Sequence, residues 1–97
     1  MMRVYDGVST CGKMSVTIFA RSNRAAAGIF FDLFVHRYGV VPSYTIVSRP
    51  KMDERDPDAL NKALQRGVSG IGMYSDGEWT IEPVEACIQK RLRDRLH

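Results

Sequence analysis

The chain has no long apolar run and no leader-like N-terminus. Within its 97 residues no stretch of about 18 apolar residues occurs, so the sequence predicts neither a transmembrane helix nor a membrane partner. Residues 1–7 lack the apolar segment of about 7–15 residues that a signal peptide needs. We therefore expect a cytoplasmic protein.

Residues that bind metals or carry redox chemistry are also few. The chain has two histidines and two cysteines, Cys11 and Cys87, and neither cysteine belongs to a CxxC or Cys/His ligand pattern. We expect two reduced and partly buried cysteines, with a disulfide between them as the alternative. The sequence thus predicts no metal site and no cofactor.

The remaining composition is typical of a folded domain. Hydrophobic residues make up 44% of the chain and charged residues 26%, far from the composition of disordered chains. A chain of this length builds one core, so residues 1–97 should form a single domain. The net charge of +3 is compatible with an acidic-protein or nucleic-acid partner but is too small to indicate one by itself.

The most informative segment joins a strand pattern to a helix pattern. Alternating apolar residues predict a strand over residues 14–20. The polar residues 21–24 supply a helix N-cap, and the helix pattern then runs over residues 25–38 to a stop at Gly39. This order predicts a β-then-α unit.

The apolar arc of this helix is wider than a surface helix needs. The remaining polar face is narrow, and it contains Ala25, Gly28, Asp32 and His36, which are polar or small enough to face water. The arc covers about two-thirds of the circumference and contains Ala26, Ala27, Ile29, Phe30, Phe31, Leu33, Phe34, Val35 and Tyr38. Either the domain covers the helix on two sides, or Phe31, Val35 and Tyr38 remain for a homodimer or a protein partner.

The other elements follow from breaks and turns. Residues 3–10 have β-type residues interrupted by Asp6-Gly7, and Cys11-Gly12-Lys13 is a plausible tight turn into the strand of residues 14–20. We expect a first hairpin, with Asp6-Gly7 as its turn or only a bulge. Residues 43–48 form a strand after Pro42. Asp56-Pro57 begins a second helix. Asp76-Gly77 predicts a two-residue hairpin turn that places Tyr74 opposite Trp79, and Pro83 opens a last helix.

The resulting order, β(β)αβαββα, indicates an α+β fold. We expect a mixed or antiparallel sheet of four to five strands with about three helices, packed mainly on one face. A ferredoxin-like variant is one option among several.

Catalytic chemistry is not indicated. Asp32 and His36 stand four residues apart on the long helix, but no nucleophile accompanies them. Residues 67–72 are glycine-rich yet match no phosphate-loop or nucleophile-elbow pattern. The acidic residues 53, 54, 56 and 58 suit helix capping better than a calcium loop. The sequence therefore predicts a protein that is not an enzyme.

Two basic groups support the alternative of a nucleic-acid-binding domain. Arg21 and Arg24 lie where a strand ends and a helix begins, and could meet a phosphate or a carboxylate there. The other group lies in the last helix, where it either stabilises the helix end or follows a phosphate backbone; it contains Lys90, Arg91, Arg93 and Arg95. Tyr44, Tyr74 and Trp79 could stack on bases if they face solvent.

Residues 16–26, a strand with a short polar end followed by an alanine-rich amphipathic helix, resemble small accessory proteins of phages and mobile elements, including anti-CRISPR and related host-defence inhibitors. Taken over the whole strand and helix of residues 14–38, the resemblance covers about a quarter of the chain, and no functional residue is carried over. It implies a binding protein that occupies a surface on a host factor.

Overall fold

The computed structural model describes residues 1–49 and 55–86. A third helix begins at residues 84–86, so the element order agrees with the predicted one. The other elements are β1 (Arg3–Ser9), β2 (Ser15–Ala20), α1 (Asn23–Tyr38), β3 (Tyr44–Ser48), α2 (Pro57–Gln65), β4 (Gly70–Ser75) and β5 (Glu78–Glu82).

The five strands form one antiparallel sheet with the order β3-β1-β2-β4-β5. β2 and β3 run in the same direction but are separated by β1, so α1 crosses over β1 to connect them. Asp6-Gly7 is neither a turn nor a bulge, because both residues lie in the continuous register of β1. The hairpin turn includes Cys11-Gly12, where Gly12 has a φ of 75°, which confirms the tight turn predicted at residues 11–13.

The predicted limits of α1 are confirmed within two residues. The Ser22 hydroxyl accepts a hydrogen bond from the Ala25 N–H at 3.1 Å and caps the first turn. At the other end Gly39 adopts the left-handed conformation with a φ of 73°, and its N–H donates to the Val35 carbonyl. Both ends are therefore determined by local sequence.

The prediction that the helices pack mainly on one face is wrong. Successive strand residues point to opposite faces of a sheet. Ile18 belongs to the core cluster that packs against α1, whereas its neighbour Phe19 belongs to the cluster that packs against α2. The sheet is therefore covered by α1 on one face and by α2 on the other.

The α1 face contains the larger core. Phe30 is fully buried, and its ring stacks at 6.1 Å on Phe34 and lies 5.1 Å from the Tyr44 ring of β3. The ring also packs over Gly7, where a Cβ atom would lie 2.6 Å from Phe30 Cδ2. β1 thus carries glycine at the point where α1 approaches most closely.

The smaller core on the α2 face is centred on Phe19 and Trp79. Both side chains are buried, and their rings meet edge to face with centroids 5.5 Å apart. Leu60 and Ala63 of α2 pack on them. Asp56 caps α2 by accepting a hydrogen bond from the Ala59 N–H at 3.2 Å, which confirms the predicted helix start.

The β4–β5 hairpin has the predicted register. Tyr74 pairs with Trp79 across the strands, and their ring centroids are 5.5 Å apart. Asp76 and Gly77 have φ values of 52° and 80°, which are the positive angles that a type I′ turn requires. The sequence could predict this turn because few dipeptides other than Asp-Gly and Asn-Gly adopt both angles.

Candidate protein-binding surface

The predicted α1 strip, Phe31, Val35 and Tyr38, lies at the border between core and solvent. Phe31 is 37% exposed, while Val35 and Tyr38 are half-buried. Phe31 is thus not covered within the described part of the domain. Of the two alternatives, a helix that keeps apolar surface agrees better with the position of Phe31.

The geometry of α1 shows which way Phe31 faces. Leu33 lines a groove together with Val16 of β2 and Ile71 of β4. At 3.6 residues per turn, Phe31 and Leu33 are about 160° apart around the helix axis. Phe31 therefore lies on the side of α1 that faces away from this groove.

A second exposed apolar feature follows directly after the helix. Val40 and Val41 are 59% and 74% exposed, and with Pro42 they form what we call the valine loop. In the sequence, this segment only separates the predicted helix from the next strand, and it was not predicted to be a binding surface. Val40 and Val41 could have indicated such a surface, because these two consecutive apolar residues lie outside the apolar pattern of any helix or strand.

The valine loop is held in place by the β1–β2 turn. The Thr10 N–H donates to the Ser43 carbonyl at 2.7 Å, and the Thr10 hydroxyl donates to the Ser43 hydroxyl at 3.1 Å. Tyr38 donates through its hydroxyl to the Lys13 carbonyl at 3.0 Å, and Lys13 Nζ lies 5.5 Å from the Tyr38 ring centroid. These contacts join the α1 strip, the turn and the valine loop into one ordered surface.

A groove of about 430 Å³ opens at this end of the molecule. The Phe34 side chain lies among its lining residues, together with the valine loop and polar groups of the β1–β2 turn. Exposed apolar side chains around a concave surface are typical of protein-binding sites.

Cys11 lies at the rim of this groove and is exposed, so the expectation that it is partly buried is wrong. It is a free thiol, and Cys87 lies outside the described residues. A hydrogen bond with Ser9 lowers the pKa of the Cys11 thiol, and a backbone hydrogen bond with Lys13 acts in the same direction. The thiolate form is therefore favoured here more than in an ordinary cysteine.

The predicted basic residues do not share this surface. Arg21 and Arg24 are exposed at the N-terminal end of α1. The helix has 16 residues and is roughly 24 Å long, so both arginines are far from the valine loop at its other end. Lys90, Arg91, Arg93 and Arg95 lie outside the described residues.

The structure does not bring the three aromatic residues into one stacking platform. Tyr44 is half-buried beside Phe30, and Trp79 is only 6% exposed because α2 covers it. Tyr74 alone offers an exposed ring. Bases could therefore not stack on all three residues.

Other candidate sites from the sequence are also accounted for. Asp32 and His36 lie on the exposed side of α1 as predicted, and residues 67–72 lead into β4 instead of a helix. In residues 1–49 and 55–86 no group of three acidic, histidine or cysteine side chains is arranged to hold a metal ion. Nor does this part of the chain contain a helix of the length and apolarity needed to span a membrane.

The pKa of Asp56 is lowered by its hydrogen bonds. Its carboxylate accepts a hydrogen bond from the Tyr74 hydroxyl at 2.7 Å, which is the main cause of its lowered pKa, and a second from the Ala59 N–H. The ordinary aspartate pKa is 3.8. Because the pKa of Asp56 is lower in the folded state, its carboxylate stabilises the fold at pH values above the ordinary pKa. This stabilisation is lost as the pH falls through the folded-state pKa.

Replacing Tyr74 with phenylalanine is expected to raise the pKa of Asp56, because the strongest hydrogen bond to the carboxylate is removed. An NMR titration of the side-chain carboxyl carbons measures this directly. Tyr38→Phe is the matched control, since the Tyr38 hydroxyl donates to Lys13 instead. An unchanged Asp56 pKa in Tyr74→Phe would contradict the assigned cause.

No protein-family model, curated protein sequence or solved structure was found to match this chain. Its own contacts and exposed surfaces are therefore the basis for assigning a function. Within the described residues the valine loop and the adjoining α1 strip place Val40, Val41 and Phe31, three exposed apolar side chains, at one end and side of α1.

Proposed function

We propose that this chain is a small non-enzymatic binding protein whose valine loop and α1 strip occupy a surface on another protein. The observation that carries the proposal is the exposure of Val40 (59%) and Val41 (74%) on a loop whose flanking residues Gly39 and Ser43 are each fixed by a backbone hydrogen bond. Phe31 extends the apolar surface along α1.

The physical reason is the low cost of ordering this surface. Binding normally loses free energy when loops and side chains become fixed. Here Thr10, Ser43, Tyr38 and Lys13 already hold the loop and the helix end together. Valine side chains also have few rotamers to lose. Desolvating the exposed methyl groups therefore contributes to affinity with little opposing entropy.

The inhibitory role is proposed from the resemblance of residues 16–26 to phage and mobile-element accessory proteins. In this proposal the chain acts in the cytoplasm of a host cell and blocks a host protein or nucleoprotein complex. No cofactor and no bond-forming step is required, because occupying a surface is sufficient to exclude the natural partner.

A nucleic-acid-binding role is the alternative. The exposed pair Arg21 and Arg24, at the N-terminus of α1, is the observation in its favour. Such binding would weaken steeply as salt is increased, since phosphate contacts release counterions. Association through the valine loop would depend far less on salt.

The test is to capture the partner and then measure its affinity. The tagged chain is incubated with host lysate with and without nuclease treatment. The captured protein is purified, and its dissociation constant is measured for wild type and for Val41→Asp. We expect Val41→Asp to weaken binding about tenfold or more, equivalent to about 1.4 kcal/mol, because a charge is placed in an apolar contact. Phe31→Asp should weaken binding in the same direction.

Val68→Asp is the matched control, because Val68 is also exposed but lies in the loop before β4. Circular dichroism should show the same folded state for all the variants. If Val41→Asp binds as tightly as wild type, the valine loop is not the binding surface. If capture disappears with nuclease treatment, the nucleic-acid role is favoured instead.

A further inference from the structure

The two edge strands of the sheet differ in how well they are protected. β5 carries Glu78 and Glu82, is followed by Pro83, and has its outward Trp79 carbonyl bonded by Arg66 at 2.8 Å. β3, with the sequence YTIVS, contains no charge and no proline. Charges and prolines are the usual means by which proteins prevent edge strands from pairing. β3 is thus open to pairing.

The hydrogen bonds of β1 show which β3 groups face outward. The Arg49 N–H donates to the Val4 carbonyl, and the Thr10 N–H donates to the Ser43 carbonyl. Hydrogen-bonded and non-bonded pairs alternate along an antiparallel ladder. Between these two bonds, Thr45 therefore bonds to Val8 and Val47 bonds to Asp6. The N–H and C=O groups of residues 44, 46 and 48 must therefore point to the open edge. Their direction agrees with the hydrogen bond that Asn23 donates to the Ile46 carbonyl at 3.2 Å.

We infer that a second copy of this chain pairs its β3 with this edge, antiparallel and about a two-fold axis at Ile46. This register places Ile46 opposite Ile46 of the second copy, Tyr44 opposite Ser48, and Thr45 opposite Val47. All outward groups of residues 44, 46 and 48 then fall in bonded pairs, which makes about six backbone hydrogen bonds. The Asn23 side chain must then release the Ile46 carbonyl, so one side-chain hydrogen bond is exchanged for the strand pairing. The two sheets become one sheet of ten strands.

The side chains favour a second copy over an unrelated extended peptide. Val47 is 53% exposed, and the register sets it against the methyl group of Thr45, so two β-branched residues meet on that face. Because β3 is uncharged, no like charges face each other in this self-pairing. The pairing therefore shields the exposed Val47 side chain together with the backbone edge.

Val47→Lys is the variant that tests this inference, because it places a cation at the edge of β3 while the exposed side chain contributes little to the monomer fold. Val8→Lys is the matched control, since Val8 is exposed on the same face of the sheet but lies on β1, an inner strand paired on both sides. Light scattering after size-exclusion chromatography measures the mass of each variant, and amide hydrogen exchange measures protection at residues 44, 46 and 48.

The expected result is a wild-type dimer whose outward β3 amides become more protected as the concentration rises. Val47→Lys should increase the dimer dissociation constant about tenfold or more, while Val8→Lys and Val41→Asp leave it unchanged. A wild type that stays monomeric at NMR concentrations, or a dimer that Val47→Lys does not weaken, overturns the inference. A dimer that Val41→Asp abolishes would also overturn it, by placing the interface at the valine loop. Capture of a partner through that loop is measured separately and does not depend on dimer formation.

Discussion

Replacing Phe30 with alanine is expected to lower the free energy of unfolding by about 3–5 kcal/mol. The Phe30 ring is fully buried and packs on Phe34, on Tyr44 and over Gly7. Removing it takes away apolar contacts and leaves a cavity that the rigid sheet and helix fill only in part. Domains of this size are stable by about 5–15 kcal/mol, so the loss would be a large fraction of the total.

Phe31→Ala is the control for this experiment, because the same side chain is removed one position further along the helix. Phe31 is 37% exposed, and we expect a loss of about 1 kcal/mol or less. Urea unfolding at low protein concentration gives both values without a contribution from association. Equal losses at the two positions would show that Phe31 is buried in the domain and would remove its role in binding.

Gly72→Val is expected to destabilise the fold by about 2–3 kcal/mol. Gly72 is buried in β4, and a Cβ at this position would overlap the Phe19 ring and lie 3.3 Å from Trp79 Cε3. Phe19 has no free space to move into, since it is fully buried beneath α2. The added methyl groups would therefore separate β4 from the smaller core.

Gly28→Ala provides the opposite case. Gly28 lies on the exposed side of α1, and a Cβ there would meet no atom within 4 Å. We expect a gain of about 0.5–1 kcal/mol, because alanine loses less backbone entropy than glycine in a helix. Chemical denaturation of both variants measures the difference. A stabilising Gly72→Val would show that the Phe19–Trp79 packing is looser than the structure indicates.

Elements with strong local signals were predicted correctly from the sequence. The N-cap within residues 21–24, the glycine stop at Gly39, the Asp56-Pro57 start and the Asp76-Gly77 turn each depend on the conformations open to a few neighbouring residues. Such preferences act over one turn of chain and need no tertiary contact. The element order and the register of the last hairpin could therefore be read from local patterns.

Only the tertiary structure decided how these elements are arranged. The strand order places β1 between β2 and β3 and leaves β3 at an open edge, which depends on pairing between distant segments. Ile18 and Phe19 are both apolar in sequence, so the pattern of β2 could not show that α1 covers one face and α2 the other. The valine loop became a candidate surface only through its exposure, which depends on the packing of α1 against the β1–β2 turn. Local sequence determines conformation over a few residues, whereas burial and exposure are set by segments that meet only when the chain has folded.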